Sequence, residues 1–430
     1  MAEVRRSLNS ENIKSIYFMI YMKHVPLKFS YGIISLFILI GCSNQEKEDD
    51  VIKTLRSSSD LLFKQNNKDA INRLKSIMYT DIDQKQERFK IVHISDPHLS
   101  SISISNNYAY PENLIQSIKF ANHPEAKINT IVATGDFISN EKKEKATQFL
   151  KSFANYYLVD NYIPALLCTG NHDCNMTDKI PNAFLSKKDI NKILLFHNKN
   201  CNYYYSDIQN PQGGYIRFIS LDMLDQPATE YNTMYYAHYS QEQINWLGNV
   251  ALKQGLTDQH SIIILTHYPF QPYSPNAKTY LCDGDFVHDW NMIPEIIEAY
   301  RSHSSINKSY TNKISKDKDI YVDFDFTSTE GNFICYLGGH SHCTASFNIY
   351  GLTNENKALM PQKMLLCTNQ APSEIGRVYN HVKREENSLT SNSFCIYAID
   401  THTREIHITF FGAYKPTDRV DYPVIQCISY

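Results

Sequence analysis

Seven side chains in five short polar clusters of this 430-residue sequence could hold cations together. Asp96 and His98 stand in DPH, Asp136 in GD, Asn171 in GNHD, His267 in THYP, and His340 and His342 in GHSH. Any one cluster alone is weak. TGNHD at 169–173 reads by itself as a turn, since Gly, Asn and Asp favour loops and Asn or Asp can hydrogen-bond its own backbone. Together the clusters offer carboxylate and amide oxygens and imidazole nitrogens, with no thiolate required. Such a set suffices for two divalent cations if one carboxylate bridges them, and Asp136 is the natural bridge. Oxygen and imidazole donors suit Mn, Fe or Zn in an open site; a structural zinc would lean on cysteine and close its coordination shell.

Each cluster follows an apolar, β-rich run: FKIVHIS, INTIVAT, IPALLCT, SIIILT and FICYLG in turn. Groups just past the ends of strands belong at the carboxyl edge of an α/β sheet, where ligands bind in such folds. Helix-compatible stretches between the runs, ENLIQSIKFANH and KATQFLKSFANYY, complete a layered α/β pattern. Residues i and i+2 of an extended chain point the same way, so Asp96 and His98 are expected to address one point, with Pro97 holding Asp96 extended. His340 and His342 repeat that spacing. Gly135, Gly170 and Gly339 would let the backbone turn sharply and approach a ligand closely. Near the C-terminus, SFCIYAIDTHTREIHITFF predicts an edge hairpin.

Taken in order, DPH, GD, GNHD, H and GHSH, each behind a strand, resemble the calcineurin-like metallophosphoesterase family over residues 89 to about 345. The resemblance implies an α/β fold, a four-layer sandwich of two packed mixed β-sheets flanked by helices, over a domain at 87–415. It implies a first metal held by Asp96, His98, Asp136 and His342 and a second held by Asp136, Asn171, His267 and His340. His172 would stay unligated, contact phosphate and protonate the leaving oxygen, with Asp173 orienting its imidazole. The implied activity is hydrolysis of a phosphodiester or phosphomonoester by a water bridging two ions, with Mn, Fe or Zn as the cofactor pair. Some subfamily marks differ. Ser139 stands where purple acid phosphatases carry tyrosine, GDFISN lacks the arginine of protein serine/threonine phosphatases, and His172 replaces the arginine of lipid A pyrophosphatases. The motifs look most like those of bacterial cyclic-nucleotide phosphodiesterases.

Lys and Arg total 42 against 45 for Asp and Glu, so a net charge of -3 offers no polycationic field for nucleic acid. Ahead of the domain, YGIISLFILIG at 31–41 is too short to span a bilayer as a helix, follows Lys23 and Lys28, and leads into Cys42. The LIGC ending resembles a bacterial lipoprotein signal in which Cys42 is acylated. Residues 1–42 are therefore expected to be a signal peptide, and Met22 would open a conventional one. Residues 43–86 read as an acidic tether, similar to surface-export signals of Bacteroidota lipoproteins, followed by short helices over 52–78; residues 416–430 read as a tail. The expected partners are a phosphate-ester substrate and a lipid bilayer, reached through acylated Cys42 at the outer membrane, on its periplasmic or surface-exposed side. The alternative function is a membrane-anchored binding lipoprotein with a non-catalytic phosphoesterase-like domain.

The remaining candidates read as structure. His93 lies inside a strand run, and His238, His260 and His407 show no ligand spacing. Cys168, Cys335 and Cys395 fit small buried hydrophobes. CDGDFVHD at 282–289 lacks the spaced ligands of an EF-hand. The long stretch at 270–335, with Tyr268, Phe270 and Tyr273 beside it, would either overhang the pocket and set specificity or decorate the surface.

Overall fold

The computed structural model describes residues 68, 71–72, 87–101, 110–175, 180, 182–194, 202–225, 237–270, 290–312, 319–342, 344–350, 359–367, 392–412 and 425–430. They all belong to one unit, Thr54–Tyr430. The expected signal, Cys42, most of the tether, Tyr273 and the 282–289 loop lie outside the described residues. The chain forms β1 (Phe89–Ile94), α1 (Tyr110–Ala121), β2 (Thr130–Thr134), α2 (Lys143–Ala154), β3 (Ala165–Cys168) and α3 (Lys187–Leu194). It continues with β4 (Tyr204–Gln209), β5 (Tyr215–Ser220), α4 (Gln241–Trp246), β6 (His260–Leu265), α5 (Met292–Arg301), β7 (Ser305–Tyr310) and β8 (Ile320–Asp325). The last strands are β9 (Asn332–Gly338), β10 (Ala345–Tyr350), β11 (Leu359–Leu366), β12 (Ser393–Asp400), β13 (Glu405–Gly412) and β14 (Ile425–Ser429).

Two mixed six-stranded sheets result, ordered β14-β13-β12-β1-β2-β3 and β10-β11-β9-β6-β5-β4. In the first, β1, β2 and β3 are parallel neighbours; in the second, β5, β6, β9 and β11 are. β1 is buried along its whole length, as parallel strands covered on both faces must be.

The two-residue period of the strands sorts their side chains between layers. Ile263 and Leu265 of β6 join Phe89, Ile91, Val132 and Cys395 in the core between the sheets. Ile262 and Ile264 point the other way, into a second core with Ile244, Leu247, Ile293, Ile296 and Ile297. Helices α4 and α5 therefore cover one sheet, while α1 packs on β1 and β2 of the other. The result is the four-layer α/β sandwich. Cys168, Cys335 and Cys395 are buried, as their apolar runs predict. Among the described residues no helix is long and apolar enough to cross a membrane.

Two expectations about the periphery change. The strands of the predicted hairpin do pair, but β12 is wholly buried because β1 takes its other side. The sheet edge is instead β14, paired with β13 and formed by residues expected in the tail. Tyr268 and Phe270 are fully buried in the second core, so they do not line an open pocket. The described part of 290–335 is not an overhang either, because the apolar face of α5 seals it onto that core.

Candidate metal centre

The three loops after β1, β2 and β3 are stitched to one another by backbone hydrogen bonds and by one carboxylate. Asp96 N–H donates to the Gly135 carbonyl at 3.0 Å, and His98 N–H to the Asp136 carbonyl at 3.0 Å. Asp173 accepts from the backbone N–H groups of Gly170 (2.7 Å), Asp136 (3.0 Å) and Phe137 (2.7 Å). The second sheet is tied to this edge by His340 N–H, which donates to Asp96 Oδ2 at 3.1 Å, and by His267 Nδ1, 2.7 Å from the Thr134 carbonyl.

The loops do not run extended. Asp96, His98, Asp136, His340 and His342 all adopt positive φ, at 50°, 48°, 55°, 64° and 51°. Each pair converges through left-handed turns, and the expectation that Pro97 keeps Asp96 extended fails. Non-glycine residues in this region cost roughly 1–3 kcal/mol each and persist only where the surroundings over-determine them, which the stitching described above does. Gly135 turns at φ 85°. Gly170 is needed for a different reason: a Cβ there would lie 2.4 Å from Asp136 N and 2.3 Å from its Oδ1.

All seven expected donors meet at this edge. Asp96, His98, Asp136 and His342 form one group and Asp136, His267 and His340 another, with the ligand atoms of each within 4.8 Å of one another and Asp136 common to both. Asn171 adds its Oδ1 to the second group, 3.1 Å from both His267 Nε2 and His340 Nδ1. The shared carboxylate is fixed at one end, where Oδ1 accepts from His172 N–H at 2.8 Å. Its Oδ2 faces His267 Nε2 at 3.2 Å and His98 Nε2 at 3.7 Å.

Several contacts make sense only around positive charge. His267 Nδ1–H is committed to a backbone carbonyl, so Nε2 is the nitrogen turned to the oxygens of Asp136 and Asn171. A metal-bound imidazole is oriented in this way, its second nitrogen held by a carbonyl. His98 Nε2 and His342 Nε2 lie 3.0 Å apart. Asp96 Oδ1 is buried and faces His342 Nε2 at 3.2 Å. Burial would depress the His267 imidazole, but the Asp136 carboxylate beside it lifts it to about 9. Burial would raise Asp136, yet His267, His172 and His98 hold it well below the usual carboxylate range. Burial likewise drives His98 down to about 3. The donor set therefore fits divalent ions.

His172 and Asp173 do not form the expected pair. Both Asp173 oxygens serve backbone N–H groups, and among the described residues the buried His172 Nδ1 has no hydrogen-bond partner. The Asp173 carboxyl thus locks the loops, while burial and the Asp136 charge push it up to about 8. The His172 ring turns its Nε2 toward the cluster, 4.0 Å from Asp136 Oδ2, packs edge-on to His98, and stays about a quarter exposed at 26%.

Beneath Asp96 runs a chain of hydroxyls that sequence reasoning missed. Ser95 donates to Asp96 Oδ2, Thr134 donates to Ser95 at 2.9 Å, and His93 Nε2 lies 2.8 Å from Thr134 Oγ1. With the Thr134 proton spent on Ser95, its oxygen accepts from His93 Nε2–H, and His93 Nδ1 accepts from Tyr397 OH at 3.0 Å. Every proton in the chain points toward the carboxylate, and burial keeps His93 neutral, down to about 3. Ser139 reaches His98 Nδ1 at 3.4 Å. The available signal was the hydroxyl residue closing an apolar run, Thr134 after TIVA and Ser95 after KIVHI.

The sequence over 89–344 matches the family model described as calcineurin-like phosphoesterase, well over half of the chain. The chain belongs to the calcineurin-like phosphoesterase family. A 108-residue stretch is 32% identical to an uncharacterized protein of Acanthamoeba polyphaga mimivirus, covering 24% of this chain and only 8% of that protein. The solved structure titled "Structure of PhoD" aligns over 80% of this chain and 68% of its own at 12% identity, with a TM-score of 0.39. Membership in the calcineurin-like phosphoesterase family covers all five strand-end clusters, from Asp96 to His342.

Proposed function

We propose that the chain is a metal-dependent phosphoesterase that hydrolyses a phosphodiester or phosphomonoester, displayed on a membrane through acylated Cys42. The observation that carries the hydrolase reading is the pair of donor groups meeting at Asp136 on the joined edges of both sheets. Asp96, His98, Asp136 and His342 would hold one ion and Asp136, Asn171, His267 and His340 the other. A pair of divalent ions supplies positive charge for the phosphoryl oxygens and acidifies water for in-line attack.

The protein's own groups do the rest. Asp136, pinned by His172 N–H, keeps Oδ2 turned to both donor groups. His172, partly exposed with Nε2 turned to the cluster, contacts the phosphoryl group and gives a proton to the departing oxygen. Asp96 keeps its aim through Ser95, Thr134 and His93. Hydrolysis of a chromogenic phosphodiester and a chromogenic monoester with Mn²⁺, before and after chelation, tests the reading. Chelation should abolish turnover and Mn²⁺ should restore it. Turnover of neither ester at any metal loading would leave a binding protein.

A further inference from the structure

At the far edge of the first sheet, away from the strand-end cluster, Glu405, His407 and Cys427 bring one ligand atom each within 4.8 Å of one another. Local geometry makes this happen. Glu405 and His407 are two apart on β13 and share a face, and Cys427 of β14 is the direct cross-strand partner of His407. Cys427 Sγ lies 3.7 Å from His407 Nε2, which lies 3.4 Å from Glu405 Oε2.

Hydrogen bonding holds the trio only loosely. One nitrogen, His407 Nε2, serves both contacts at long range, 3.4 Å to Glu405 Oε2 and 3.7 Å to Cys427 Sγ, and that carboxylate oxygen already accepts from Thr403 Oγ1 at 3.0 Å. A cation at the common focus satisfies all three. Tetrahedral zinc with Zn–S near 2.3 Å and Zn–N or Zn–O near 2.0 Å places S and N about 3.5 Å apart and N and O about 3.3 Å apart. The observed separations lie close to both values.

The charges nearby agree. Arg88 is paired with Asp400 at 3.2 Å, and Asp400 is the cross-strand neighbour of Glu405, so the Glu405 carboxylate leaves net negative charge at the trio. Cys427 is exposed, whereas the other described cysteines are buried. We propose that Glu405, His407 and Cys427 form a second metal site, an open three-ligand site for Zn²⁺, which clips the edge strand β14 to the sheet. Water completes its coordination. It is separate from the hydrolytic centre, whose donor groups contain no cysteine.

Co²⁺, a spectroscopic stand-in for Zn²⁺, tests the site on the reduced full chain already loaded with Mn²⁺. The wild type should show thiolate-to-cobalt charge-transfer absorption saturating at a single ion per chain and bleached by Zn²⁺. Cys427→Ser should lose the band yet hydrolyse phosphate esters with Mn²⁺ as the wild type does, which shows that it is folded. His407→Gln should bind Co²⁺ roughly tenfold or more weakly. Zn²⁺ should also raise the melting temperature of the wild type more than that of Cys427→Ser, which keeps only the hydrolytic donor groups, since a ligand bound to the folded state stabilises it. Absence of the band in the wild type, or a band of equal intensity in Cys427→Ser, would overturn the proposal.

Discussion

His172 is the residue on which the proposed chemistry turns without being a metal donor. Its neighbour Asn171 already contributes an oxygen to the cluster, and its own ring stays partly exposed. His172→Ala should therefore retain both metals. General acid help is typically worth roughly 10²- to 10⁴-fold, and a nitrophenolate leaves with less of it than an alkoxide. The variant should lose far more activity on an alkyl ester than on a nitrophenyl ester. Equal losses on the two would reduce His172 to a group that positions phosphate. Asp173 was legible as a site residue but not in its role, because a carboxylate beside an imidazole in sequence says nothing about which backbone N–H groups will surround it after folding. The same holds for the chain below Asp96, whose members come from β1, β2 and β12. Thr134→Val should cut the chain while preserving volume, and weaken metal retention roughly 10- to 100-fold with little change in melting temperature. Metal content after dialysis at graded free-ion concentration reads this directly.

At the scale of elements, all five strands that deliver the donors could be read from sequence, since each is an apolar run ended abruptly by a polar cluster. The conformation of the loops beyond them could not. Left-handed turns at Asp96, His98, Asp136, His340 and His342 depend on contacts between loops that are far apart in the chain, and no local propensity asks for them. Likewise β14 finds its place only because β13 leaves an edge free, and Tyr268 and Phe270 were misread because the rings they pack on, His340 and Tyr336, are remote in sequence. Gly170 is where the packing of these loops is least forgiving. Gly170→Ala would drive a methyl group into the backbone nitrogen of Asp136, which cannot move without releasing the shared carboxylate. The variant should lose most of its metal and melt several degrees lower; calorimetry and metal analysis together would show it, and a fully metallated, active variant would mean the loops yield more easily than their hydrogen bonds suggest.

On the scale of the whole molecule, neither sheet carries a complete site. One supplies Asp96, His98, Asp136 and Asn171, and the other His267, His340 and His342, so the donor groups exist only when the two sheets pack. The inter-sheet core of Ile91, Val132, Ile263 and Leu265 is thus part of the site's support. The proposed membrane attachment belongs to the same scale and would rest on Cys42, so Cys42→Ala should leave hydrolysis by the purified protein unchanged while removing acyl label and membrane association in fractionated cells. Unaltered attachment of the unlabelled variant would refute the anchor. The most direct test of the central claim, two ions sharing Asp136, is a titration of metal-free protein with Mn²⁺, following bound metal and phosphodiester hydrolysis in the same samples. Activity should rise to its plateau as the second ion binds, and Asp136→Asn should lose both ions together; full activity with one bound ion would contradict it.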